Sequence, residues 1–95
     1  MEQFNILSRF LGKAAQDSRL LHAHICLYTA MLSMWEQDRF GIPFRITRKE
    51  LMRLSKLAST ATYHKCLKEL VSYGYINYEP SYNHYKGSQV FLTGF

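Results

Sequence analysis

The sequence predicts a mainly α fold with a small β-hairpin, an α+β domain, and three observations carry that expectation. Apolar residues recur at helical spacing near the start, from Leu20 to Trp35, and from Tyr63 to Val71. Between and after these runs the pattern changes to alternation, at Ile42, Phe44 and Ile46 and again over 75–79 and 89–93. The chain has 95 residues, room for one core, and its 47% hydrophobic content fills that core and excludes intrinsic disorder.

Phe4, Leu7, Leu11 and Ala14 predict a helix over about 4–14 with Asn5 as its cap. It reads as an N-terminal helical extension, residues 1–16, ahead of a main domain over 17–95. Asp17 or Ser18 then caps a long helix to about Asp38, closed by Gly41 and Pro43. Along it Leu21, Ile25, Tyr28, Leu32 and Trp35 form one apolar stripe, and Leu20, Leu27, Met31 and Met34 form a second. One stripe faces the core. The other faces the N-terminal helix or a second copy of the chain, which makes Leu20, Leu27, Met31 and Met34 the candidate interface of a homodimer; a central helix covered on most sides is the alternative.

Ile42, Phe44 and Ile46 alternate with Pro43 and Arg45 as a short edge strand, since proline is tolerated at an edge and not in a sheet centre. Thr47 with Glu50 three residues on makes a capping box for a helix of about two turns that stops near Lys56. Ser59 caps the next helix, which carries Tyr63, Cys66, Leu67, Leu70 and Val71 on one face and ends at Gly74, where a left-handed residue is needed. The segments 75–79 and 89–93 are two strands joined by a long loop over Pro80 to Ser88. Tyr73, Tyr75 and Tyr78 read as packing residues instead of stacking platforms for single strands.

Net charge is +5, from 12 Lys and Arg against 7 Asp and Glu, and its distribution is uneven. Through Gly41, Arg9, Lys13, Arg19 and Arg39 cancel Glu2, Asp17, Glu36 and Asp38. Beyond it, Arg45, Arg48, Lys49, Arg53, Lys56, Lys65, Lys68 and Lys86 face only Glu50, Glu69 and Glu79, so the excess belongs to the second part of the chain. A polyanion is the natural partner of such a surface, and nucleic acid is the commonest one.

No membrane partner is expected. The stretch from Leu20 to Trp35 is interrupted by His22, His24, Thr29 and Ser33 and is shorter than the roughly 20 residues that a span requires. Glu2 and Asn5 do not fit the basic start of a secretory signal, so a cytoplasmic location is the expectation, with Cys26 and Cys66 as buried, reduced thiols.

The order of elements is long helix, strand, short helix, tight turn, helix, hairpin, which suggests a helix-turn-helix with a wing. The stretch Ile46-Thr47-Arg48-Lys49-Glu50-Leu51, with Ser59-Thr60-Ala61-Thr62-Tyr63-His64-Lys65-Cys66-Leu67-Lys68-Glu69-Leu70 and Gly74-Tyr75-Ile76, resembles the winged helix-turn-helix DNA-binding domains of bacterial repressors and of accessory proteins of mobile elements. The likeness covers about residues 18–93. Cys66-Leu67 matches the inward-packing pair, Ser59 and Thr62 the polar positions, and Gly74-Tyr75-Ile76 the start of the wing. The family usually has a basic residue next to the cap, where this chain has Thr60.

The resemblance implies double-stranded DNA as partner, read by the helix that Ser59 opens. At 100° per residue its outward face carries Ala61, Lys65, Lys68 and Ser72, with Thr62 and His64 at the flanks. Small side chains at its start suit a major groove about 12 Å wide, so Ser59, Thr60, Ala61, Thr62, His64, Lys65 and Lys68 are the candidate recognition residues. Thr47, Arg48 and Lys49 open the shorter helix and are assigned to phosphate contacts. Asn83, His84 and Lys86 at the wing tip are assigned to the minor groove or backbone.

No catalytic, cofactor or metal chemistry is expected. Among His22, His24 and Cys26 only His22 and Cys26 share a helix face, His64 and Cys66 do not, no carboxylate pair sits in an apolar setting, and no phosphate-cradling glycine loop occurs. The expected function is sequence-selective binding of duplex DNA by a dimeric regulator or plasmid or mobile-element accessory factor. The alternative is a protein-interaction winged helix in a replication-initiation or primosome-like assembly, working through the second stripe of the long helix.

Overall fold

A computed structural model describes residues 2–37, 44–79 and 88–92. Along the chain these form α1 (Glu2–Gln16), α2 (His22–Gln37), β1 (Phe44–Ile46), α3 (Arg48–Ser55), α4 (Thr60–Ser72), β2 (Ile76–Glu79) and β3 (Ser88–Leu92). The fold is mainly α with one small antiparallel sheet of order β1-β3-β2. Ile76 pairs with Leu92 and Tyr78 with Val90 in the hairpin, and β1 adds to the other side of β3 through Phe44 opposite Val90. The strand that follows Pro43 thus lies at an edge, as the proline requires. No described helix is long and apolar enough to cross a membrane.

The centre of the fold is α2, which packs against α1, α3, α4 and β1. Leu27, Tyr28, Ala30, Met31, Leu32 and Trp35 are all buried along it, so both of its stripes face inward. This corrects the proposed dimer interface: Leu20, Leu27 and Met31 are buried in the chain's own core, and Met34 packs partly buried against it. A stripe on a helix states that something covers it, not what, and here the rest of the same chain does.

The helix α1 supplies part of that cover. It runs beyond the expected 4–14 at both ends, which puts Asn5 inside it and not at its cap. Ile6, Phe10 and Ala14, on one face at spacing four, enter the common core. The Phe10 ring is stacked on Tyr28 with centroids 3.8 Å apart, and meets Tyr75 edge-on at 5.6 Å.

Asp17 and Ser18 do not cap a helix, because α2 begins at His22. The Asp17 carboxylate is engaged locally: Oδ1 accepts from the Arg19 backbone N–H at 3.0 Å and from Nε at 2.9 Å, and Oδ2 accepts from the second guanidinium nitrogen at 2.8 Å. Tyr75 Oη also donates to Oδ2, at 2.9 Å, tying the turn to the start of the hairpin. The Arg19 bonds, with Tyr75 adding to them, hold the carboxyl well below the usual carboxylate range against partial desolvation. The later start of α2 leaves Leu21 outside it and 61% exposed, although its spacing places it on the first stripe.

The two helices ahead of the hairpin are bounded as their caps predict. Thr47 Oγ1 accepts from the Glu50 N–H at 3.3 Å. The reciprocal half of the capping box is not formed, since the Glu50 carboxylate pairs with Arg53. Ser59 Oγ accepts from the Thr62 N–H at 3.2 Å and opens α4. At its end the Gly74 N–H donates to Val71 O and the Tyr75 N–H to Leu70 O, with Gly74 at φ 86°, a Schellman closure. Lys56, closing α3, holds φ 66° without being glycine.

Candidate nucleic-acid interface

Between α3 and α4 lie four residues, Lys56 to Ser59, and the geometry of α4 follows from which of its residues face the core. Tyr63, Cys66, Leu67 and Leu70 are buried, and burial pushes the Tyr63 phenol up to about 12. The opposite face carries exposed Thr60, Ala61, His64, Lys65 and Lys68, with Thr62 partly buried at the flank and Ser59 exposed at the cap. Val71 is 38% exposed, at the edge of the buried face on which the periodicity put it. Neither Lys65 nor Lys68 has an ion-pair partner among the described residues. Both ammonium groups therefore present their charge to solvent.

Thr47, Arg48 and Lys49 are exposed at the start of α3. The Thr47 hydroxyl is already an acceptor for the helix, and its hydrogen remains free to donate outward. The helix start adds a partial positive charge beside these two cations. Arg53, one turn on, is tied to Glu50 and adds no net charge. Asn83, His84 and Lys86 lie outside the described residues, so the wing tip has no geometric description.

Beside the outward face is a groove of about 290 Å³ between α4 and β2, lined by His64, Leu67, Lys68, Val71 and Tyr78. It sets an apolar floor next to a lysine. A wider hollow of about 790 Å³ lies near the end of α1 and the 17–19 turn, with Arg9, Lys13, Arg19 and Tyr75 on its walls. Its Arg19 is paired with Asp17 and lies 4.2 Å from the Tyr73 ring centroid, so the Arg19 charge is engaged within the chain, while Arg9 and Lys13 are exposed on the same walls.

The back of α4 is anchored by polar contacts that the sequence reading missed. His24 is 3% exposed, on α2, and its Nδ1 accepts from the Leu21 N–H at 3.0 Å. That leaves Nε2 as the proton-bearing nitrogen, and it donates to Glu69 Oε1 on α4 at 3.0 Å. Tyr73 Oη donates to Glu69 Oε2 at 3.2 Å. The His24 bond, with the Tyr73 bond, holds the Glu69 carboxyl below its usual range. His24 thus caps the start of α2 and ties it to α4 with its two ring nitrogens. The Cys66 thiol lies in the same place, and the donor atoms of His24, Cys66 and Glu69 are all within 4.8 Å of one another. Cys66 and Glu69 stand three apart on one helix, which sequence spacing shows; the approach of His24 from another helix is visible only in the fold. The two cysteines are free, but Cys26 is exposed, against the expectation that both are buried. Tyr75 is buried and Tyr73 and Tyr78 partly so, in packing roles.

Comparison with protein-family models, curated proteins and solved structures finds no match to this chain.

Proposed function

We propose that the chain is a winged-helix protein that binds double-stranded DNA, with α4 as the recognition helix and α3 in support on the phosphates. The carrying observation is the outward face of α4, where small residues Thr60 and Ala61 near the capped start are followed by exposed Lys65 and Lys68. A helix of this section fits a major groove, its small start permits close approach, and its lysines lie a turn apart for a base edge and a phosphate. The element order, with the hairpin directly after α4 and β1 completing the sheet, is the arrangement that the sequence resemblance implies. Phosphate contacts from Lys65, Lys68, Arg48 and Lys49 supply most of the affinity in this reading, and the 59–64 segment supplies selectivity.

The competing reading, a protein-interaction module, relied on the second stripe of α2 as a working surface. That stripe is internal, which removes the reason to prefer it. The role as a regulator or mobile-element accessory factor, and the homodimer, belong to the same proposal; the interface residues of such a dimer lie elsewhere than Leu20, Leu27, Met31 and Met34.

The test is a titration of the full chain with duplex DNA at several salt concentrations. Binding should weaken linearly in log–log form, with a slope of about 0.9 for each phosphate neutralised. No binding to a random-sequence duplex at about 50 mM salt, where non-specific phosphate contacts are strong, rejects the proposal. A footprint on genomic fragments then gives the half-site spacing and with it the dimer geometry.

A further inference from the structure

We propose that His24, Cys66 and Glu69 form a binding site for one zinc-class divalent cation, held between α2 and α4. The three donors are an imidazole, a thiol and a carboxylate, gathered within 4.8 Å. A tetrahedral zinc with bonds of about 2.0–2.3 Å sets its ligand atoms about 3.5 Å apart, so the donors need to close by at most about 1.3 Å. His24 and Cys66 are each 3% exposed and Glu69 is partly exposed, which leaves a fourth position for water. The charges balance: a thiolate and a carboxylate carry the two negative charges that a divalent ion neutralises, with the imidazole neutral.

Hydrogen bonding within the trio is uneven. His24 and Glu69 are hydrogen-bonded to each other, whereas the Cys66 thiol makes no hydrogen bond among the described residues. Burial first, and the neighbouring Glu69 charge second, push this thiol up, so it stands protonated at neutral pH. Cation binding replaces the thiol proton, which leaves to solvent, and binding strengthens as pH rises. Tyr73, donating to Glu69 Oε2, orients the carboxylate from outside the ligand set.

Occupancy has a structural consequence that a casual surface ion does not have. The cation takes the Nε2 lone pair, so the ring proton must reside on Nδ1. There it faces the Leu21 N–H, which now donates to that nitrogen at 3.0 Å. Two donors cannot share this contact, so loading the site releases the cap at the start of α2.

The experiment uses the reduced full chain, stripped with chelator and titrated with Co²⁺, followed by Zn²⁺ competition. One Co²⁺ per chain is expected, with a thiolate-to-cobalt absorption band and the visible bands of four-coordinate cobalt. The thiolate band should vanish in Cys66→Ala and persist in Cys26→Ser, the control for the exposed thiol beside His22. Tyr73→Phe should weaken affinity about tenfold. With Zn²⁺, the Leu21 amide resonance should shift. Circular dichroism checks the fold of Cys66→Ala; if that variant unfolds, Glu69→Gln serves instead, retaining the thiolate band with affinity lowered at least about tenfold. Absence of a thiolate band, or a band that follows Cys26, overturns the site and leaves the trio as an interhelical hydrogen-bonded tie.

Discussion

Phe10→Ala tests whether α1 is part of the domain or an appendage. The ring is 1% exposed, stacked on Tyr28 and edge-on to Tyr75, so its removal leaves a void against two aromatic neighbours. Deleting a buried phenylalanine side chain costs about 3–5 kcal/mol, and an aromatic pair adds about 0.5–1.5 kcal/mol beyond buried area, which puts the expected loss in the upper half, about 4–5 kcal/mol. Domains of this size have about 5–15 kcal/mol in total and shift by about 4–8 °C per kcal/mol, so thermal unfolding should move down by about 16–40 °C. Leu11→Ala is the control: Leu11 is 43% exposed on the same helix. It should stay within about 0.5 kcal/mol. The assay is urea unfolding by circular dichroism, with tyrosine and tryptophan fluorescence as a second probe. A loss below about 1 kcal/mol for Phe10→Ala refutes the reasoning, because it means that the α2 core stands without α1.

Other perturbations read separate parts of the structure. Lys65→Ala and Lys68→Ala should each lower the salt slope of duplex binding by about 1 and shift stability by no more than about 0.5 kcal/mol, since both lysines are exposed and make no ion pair among the described residues; unchanged slopes in both remove α4 from the proposed interface. Asp17 and Glu69 have carboxyl groups held below the ordinary range, so their contribution to stability is complete above the unfolded value of about 4 and is lost as pH falls through the lower folded value. Asp17→Asn should therefore be less stable than the parent chain at neutral pH and lose less on acidification, measured as urea midpoints between about pH 7 and pH 2; parallel curves contradict the assignment. Gly74→Ala should cost about 1 kcal/mol or more at φ 86°, and Lys56→Gly should gain about 0.5–1 kcal/mol at φ 66°, both read from unfolding midpoints.

The part of the fold that the sequence reveals best is α4, and the reason is redundancy. Ser59 at the cap, the inward set Tyr63, Cys66, Leu67 and Leu70, and Gly74 at the end each specify the same helix by a different local rule. The strand after Pro43 and the hairpin follow from equally local signals. The start of α2 was not legible, because two local rules competed: Asp17 fits a helix cap, but its carboxylate is captured by Arg19, and the cap is supplied by His24 from within the helix. The use of Leu20, Leu27 and Met31 was not legible either. Periodicity gives the direction in which a side chain points and is silent about the identity of what it meets, which here is the same chain and not a second copy.

The same limit explains why the inner contacts of α4 escaped while its outer face did not. An outward residue needs no partner to be recognised, so exposure of Lys65 and Lys68 follows from angle alone. An inward polar residue has meaning only through its neighbour, and His24 is 45 residues away from Glu69 along the chain. Recognition of a base edge requires the helix to be held within about 0.5 Å, and apolar packing alone allows some slide along the helix axis. The His24 bond to Glu69 ties the second half of α4 to α2, while the Tyr73 bond and the Schellman closure define its end locally. Lys68 is one residue from Glu69, so whatever changes the anchor changes the placement of the charge next to it.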